Sequence, residues 1–317
     1  MFSLFRLNSF SSAHAKGLSS GSMTYKPGKR MALFGASLLF GLAVFSGTAV
    51  RLLNAKSDYY SHIPAVFCII GYVLITERKR IFADVHYSPF CGMEIIALSA
   101  VVYFCGKINQ SILSLNDYAS VEALAFALYL AGIFLCFFGL NTVKLAKFAV
   151  FLLILTIPVP DFILERIISF LQIQSYNAAC WVLDAVHLYP VREGFLIILP
   201  DLTAEVAKQC SGIRSSIALL IISILYGRYF LRTRPGMILL VVLTVFIAPF
   251  KNGVRIASLM ILGIYWDKKI LAGSLHTAGG IPFFLVGLAW LSLVLLLLAR
   301  AEKLVLKRYL RRGSSPA

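Results

Sequence analysis

The stretch "AEVAKQCSGIRSSIALLIISILYGRYFLR", Ala204 to Arg232, decides the fold. It opens polar, then carries a predominantly apolar run over 211–231, long enough to cross a hydrocarbon core of roughly 30 Å, and closes on Arg228 and Arg232. At the border stands Cys210, followed by Ser211, Gly212 and Arg214. A thiol there admits three readings: packing, half of a disulfide, or a nucleophile.

The rest of the chain agrees with a membrane reading. Its 317 residues are 59% hydrophobic and 14% charged, with a mean hydropathy of +0.84, whereas about a quarter of a soluble domain is charged. Apolar runs occur near 31–50, 59–76, 88–106, 118–140, 146–163, 211–231, 236–250 and 279–299, the seventh marginal in length. The expectation is an all-α polytopic membrane protein with eight crossings. Basic residues gather in alternate segments: Arg6 to Arg30, Arg78 to Arg80, Lys144 with Lys147, Arg228 to Arg234, and Arg300 to Arg312. Basic residues that flank crossings stay cytoplasmic, so both termini are expected there. This topology, with attraction to an anionic leaflet, accounts for the inner share of the net charge of +16. Membrane lipid is therefore an expected partner and nucleic acid is not. Residues 1–30 read as a cytosolic tail rather than a cleaved signal, 31–300 as one membrane-embedded domain, and 301–317 as a basic cytosolic tail.

The longest extracytoplasmic segment is 158–209. It starts with "IPVPD", whose prolines end the fifth run. Apolar residues at helical spacing in "FILERIISFLQIQSYNAACWVLDAVHLY" predict an amphipathic helix lying on the outer membrane surface. In "VREGFLIILPDLTAEVAKQ" two β-type runs flank Pro200-Asp201 and predict a small hairpin. Farther on, Pro249 and Gly253 in "APFKNGVRIASLMILGIYWDKK" predict a helix break, and 251–278 reads as an interfacial or re-entrant element. Cys210, Lys251, Asn252, Arg255 and His276 then lie at one membrane face.

Position favours a reactive Cys210 over a packed one or a disulfide with Cys180. It sits near the first turn of an apolar helix, where unsatisfied N–H groups and the positive dipole end favour thiolate. Ser211 is a candidate cap for that helix. Arg214, four residues on, lies one turn away on a similar face, placed to tune the thiolate or bind a substrate carboxylate. Arg255 reads either as an arginine snorkelling to lipid phosphate or, since it lies inside an apolar run on the disfavoured side, as a functional group able to hold an oxyanion. His14 and His86 fall on the cytoplasmic side and His62 reads as structural. His187 and His276 remain as proton-transfer candidates, His276 being flanked by Gly273 and Gly279-Gly280. No cysteine or histidine spacing has the pattern of a metal site, and no cofactor is expected.

"EVAKQCSGIRSS", then "NGVRI", then a histidine before the last run resemble the exosortase/archaeosortase family of membrane cysteine transpeptidases. The lead-in "PVPDFILERIISFLQIQS" and "VREGFLIILPDLTAEVA" extends the likeness to roughly residues 90–300. The resemblance implies that Cys210 is the nucleophile, Arg255 the second catalytic residue and His276 the third; Arg214, Asn252 and Ser211 are the expected substrate-binding or supporting residues beside them. Histidine in that third place is similar to the bacterial branch. It implies location in the bacterial inner membrane and an exopolysaccharide setting. The implied partners are secreted proteins ending in a short motif such as Pro-Glu-Pro, a transmembrane helix and a basic tail. A second reading, from another class, is a transporter or lipid-binding protein in which 251–278 re-enters the membrane and Arg255 grips an anion.

Overall fold

Apolar helices whose backbone groups are all satisfied internally are what a chain of this composition can place in lipid, and helices dominate the computed structural model. It describes residues 27–313 apart from 49, 51–59, 84, 87, 201 and 267–279. Helix α1 spans Pro27–Val44, α2 Ile63–Thr76, the short α3 Arg78–Ile81, α4 Pro89–Ile108, α5 Leu115–Leu145, α6 Lys147–Ile154 and α7 Asp161–Ala185. Three strands follow, then a 3-10 turn at Lys208–Ser211, α8 Ile213–Phe230, α9 Arg234–Tyr265 and α10 Gly280–Gly313. Prolines open α2, α4 and α9 in the first turn, where a missing N–H costs no helical hydrogen bond.

Five of these helical stretches are long and apolar enough to cross a membrane: Pro89–Ile108, Leu115–Leu145, Lys208–Phe230, Arg234–Tyr265 and Gly280–Leu306. Ile63–Thr76 is apolar but shorter. The eight expected crossings are thus not recovered among the described residues. The run at 146–163 fails because α6 has eight residues, about 12 Å of helix. The chain bends just before it at Gly139, whose φ of 79° lies in the left-handed region, and Pro158 and Pro160 follow.

The expected break at Pro249 is also absent. α9 continues through Pro249 and Gly253 for 32 residues, about 48 Å, so 251–265 belongs to one continuous helix rather than a re-entrant element. Proline is tolerated inside a membrane helix when neighbouring protein packs around the freed carbonyl, and Pro249 is buried. Gly253 serves close approach: a Cβ there would stand 2.7 Å from the Ser175 carbonyl of α7, and nearer still to Ala178. That contact lets α7 pack along α9.

The amphipathic segment is helical as expected, and its buried face, Leu164, Ile168, Leu171, Gln172, Ser175, Ala179 and Leu183, is covered by protein. The hairpin forms between the two expected runs, with Leu199 opposite Leu202, and gains a third strand. The sheet order is β1 (Val191–Glu193), β2 (Leu196–Leu199), β3 (Leu202–Glu205), all antiparallel. Ile197, Leu199 and Val206 pack with Tyr176, Ala179, Cys180 and Leu183 of α7 and with Ala257 and Met260 of α9. The sheet thereby delivers the chain from the end of α7 back to the Cys210 turn. On the other flank Leu219, Leu240, Ala248 and Leu291 join α8, α9 and α10.

A separate polar knot lies between α4 and α5. Glu122 is 1% exposed and accepts hydrogen bonds from Thr48 (2.7 Å) and Tyr118 (2.5 Å), with Lys107 Nζ at 2.9 Å. A buried carboxylate bound from three sides seals a helix junction and leaves its oxygens committed, unlike the open polar path that the transporter reading requires.

Candidate active site

The site is built where the sheet ends. Gln172 of α7 donates to the Val206 carbonyl at 2.6 Å, fixing the exit of β3. The chain then tightens into the 3-10 turn, with the Cys210 N–H donating to the Ala207 carbonyl at 2.8 Å. Gly212 follows with φ 73° and ψ 20°, a left-handed conformation that glycine adopts without the Cβ penalty. α8 starts only at Ile213.

Asn252 of α9 holds this turn from behind. Its side chain is 1% exposed, and Nδ2 donates to the Cys210 carbonyl at 2.7 Å and to Ser175 Oγ of α7 at 3.0 Å. One amide therefore ties the cysteine turn to two helices. The fit is tight: a Cβ on Gly212 would stand 2.8 Å from Asn252 Oδ1. Asn252 Oδ1 and the buried Ser211 Oγ have no hydrogen-bond partner among the described residues. Gly212 needs its glycine both for φ and for this approach.

Cys210 is half-buried, and all six cysteines are free. A Cys180–Cys210 disulfide is therefore not formed. Cys180 lies fully buried in the α7–sheet–α9 core, and burial pushes its thiol pKa up. Arg255, half-buried, lies one turn beyond Asn252 on the neighbouring face of α9, since residues three apart on a helix are adjacent. The arginine and the turn-holding amide are thus carried by the same rigid element.

Other expected placements change. Gly212 occupies the N-cap position of α8, so Ser211 does not cap it. The left-handed residue between them also removes the shared helical face argued for Cys210 and Arg214; Arg214 is exposed and donates Nε to Ser61 Oγ at 3.0 Å. His187 adopts φ 63° beyond the end of α7 and pairs with Tyr189 at 3.0 Å. Ten residues of helix separate Ser175, beside the site, from Ala185, about 15 Å along the axis, so His187 stands apart from Cys210. His62 Nε2 meets the Leu155 carbonyl at 3.1 Å, a structural contact. His276 lies outside the described residues.

Ser175, Gln172, Ser215 and Lys251 join the site without having been singled out as functional by sequence. The one available signal was Lys251, a lysine inside an apolar run next to Asn252. Beside the first turn of α8, between α7, α8 and α9, runs an apolar cavity of about 610 Å³, whose walls include Ile167, Leu171, Ile213, Ile217, Leu220 and Val245. The arrangement offers a fixed, accessible thiol, a cation on the adjacent helix and an apolar recess alongside.

No curated protein and no solved structure matches the chain. The model of the transmembrane exosortase family matches residues 53–293, a span that includes the sheet, the Cys210 turn, Asn252 and Arg255, and the chain belongs to that family.

Proposed function

We propose that the protein is a cysteine transpeptidase that cuts C-terminal sorting signals of secreted proteins. Cys210 Sγ attacks the carbonyl carbon of the scissile peptide bond, and Arg255 steadies the resulting oxyanion. The tetrahedral species collapses with loss of the amine, to which His276 delivers the proton it took from the Cys210 thiol, and the substrate acyl group remains on Cys210 as a thioester. An amine acceptor or water then takes the acyl group and restores the thiol. The observation that supports this reading best is the double hold of Asn252 on the Cys210 carbonyl and on Ser175. It ties the turn that carries a half-buried thiol to the helix that carries Arg255, one turn beyond Asn252, in a chain of the exosortase family.

The substrates in this reading end in a Pro-Glu-Pro-like motif, an apolar helix and a basic tail. The apolar recess beside α8 suits the apolar part of such a signal, and exposed Arg214 suits an acidic motif side chain. The site faces the extracytoplasmic side of the bacterial cytoplasmic membrane, with both termini inside. The test is co-expression with a tagged protein carrying such a signal. Cys210→Ala and Cys210→Ser are expected in the membrane at normal abundance, with the substrate left full-length. Normal processing by Cys210→Ala would rule the reading out.

A further inference from the structure

Lys251 stands next to Asn252 on α9 and is 2% exposed. Its Nζ donates to Ser215 Oγ in the first turn of α8. Ser215 Oγ in turn donates to the Gly212 carbonyl at 2.9 Å, which also receives the Ser216 hydroxyl at 2.9 Å and the Ser216 N–H at 3.0 Å. Adjacent residues of α9 therefore grip the same turn at two points, Asn252 at Cys210 and Lys251, through Ser215, at Gly212.

Several features single this lysine out. An ammonium has donors only, so its bond to Ser215 Oγ obliges the hydroxyl proton to point away, toward Gly212. The stem of the lysine is accommodated by α10: a Cβ on Gly287 would stand 2.9 Å from Lys251 Cδ and 3.1 Å from Leu219. Among the described residues no carboxylate pairs with it. A buried cation without a counter-charge is costly, and an apolar side chain of similar length fills the same channel without that cost. Ser215 also reads as a bridge rather than a second nucleophile, since its proton is committed to Gly212.

We propose that Lys251 is a positioning residue for the reaction at Cys210: through Ser215 it locks the left-handed Gly212 turn that presents the thiol. The inference rests on Cys210 being the reactive group, but its test does not require a substrate. In the full chain in detergent, Cys210 alkylation by N-ethylmaleimide is followed by mass spectrometry, together with hydrogen exchange over 208–216 and thermal unfolding. Lys251→Met keeps the stem and removes the donor. It is expected to raise the alkylation rate about threefold or more, because a loosened turn opens the half-buried thiol to the reagent, and to speed exchange in the turn, with the melting temperature unchanged or raised. Ser215→Ala reproduces the effect on the turn, and Ser215→Thr, which keeps the hydroxyl, restores wild-type behaviour. Wild-type alkylation and exchange in Lys251→Met overturn the proposal. So does a lowered melting temperature with exchange raised equally along α8 and α9, which assigns Lys251 a purely structural role. Normal processing by Cys210→Ala sinks the transpeptidase reading instead, so the two failures are distinct.

Discussion

Replacing Asn252 by alanine removes a side chain that joins the Cys210 turn to both α7 and α9. The Cys210 carbonyl and the Ser175 hydroxyl, the latter fully buried, both lose their donor. A buried polar group left unsatisfied costs about 1–3 kcal/mol, and since only the Ser175 end is fully buried, the predicted loss is about 1–3 kcal/mol. The rate suffers separately. Releasing the turn by 1 Å is worth about 10²-fold in a positioned reaction, or about 2.7 kcal/mol of barrier. Thermal unfolding in detergent measures the first quantity, and the first-order rate of substrate conversion in membranes, normalised to protein, measures the second. Asn252→Asp separates them further: it preserves volume but replaces the amide donor with a carboxylate facing a carbonyl, and is expected to slow conversion at least as much as alanine. Asn252→Ala with wild-type conversion and an unchanged melting temperature would refute the positioning argument.

Other perturbations follow from the same contacts. Gly253→Ala puts a Cβ 2.7 Å from the Ser175 carbonyl and should destabilise by about 1–3 kcal/mol through overpacking, read as a lower melting temperature with reduced activity. His187→Ala, altering a residue well beyond the site along α7, should leave conversion within twofold of wild type; a large loss would return His187 to the reaction. Lys107→Met strips the cation from the buried Glu122 and should cost about 3 kcal/mol, at the lower end for a broken buried pair because Lys107 is partly exposed, without changing the rate per folded molecule.

What the sequence could reveal depended on whether the cause was local. The hairpin that pairs Leu199 with Leu202 was legible because two β-type runs flank Pro200-Asp201 in the sequence, and the helix over Asp161–Ala185 because its apolar period is helical. That period identified the buried face but not its cover, which proved to be α9 and the sheet rather than the membrane surface alone. Pro249 and Gly253 were misread because breaker rules describe helices in water; inside packed membrane helices proline is tolerated and glycine brings neighbours close. The kink within α5 lies at the left-handed Gly139, a conformation that no neighbouring residue type announces, and α6 ends at Ile154. At the site, the order of Cys210, Asn252 and Arg255 was readable, but the 42-residue link from Asn252 to Cys210 and the bridge from Lys251 to Ser215 are tertiary contacts. Arg214 was misplaced because a continuous helix was assumed where Gly212 interrupts it.

The central claim is that an acyl group passes through the sulfur of Cys210. Its most direct test is to incubate membranes with substrate, quench in acid, and determine the mass of the Cys210 peptide with and without neutral hydroxylamine. The account predicts an adduct equal to the substrate acyl fragment on Cys210, released by hydroxylamine and lost in Cys210→Ala together with cleavage. Cleavage that proceeds at the wild-type rate in Cys210→Ala, with no adduct on the wild-type peptide, would contradict it.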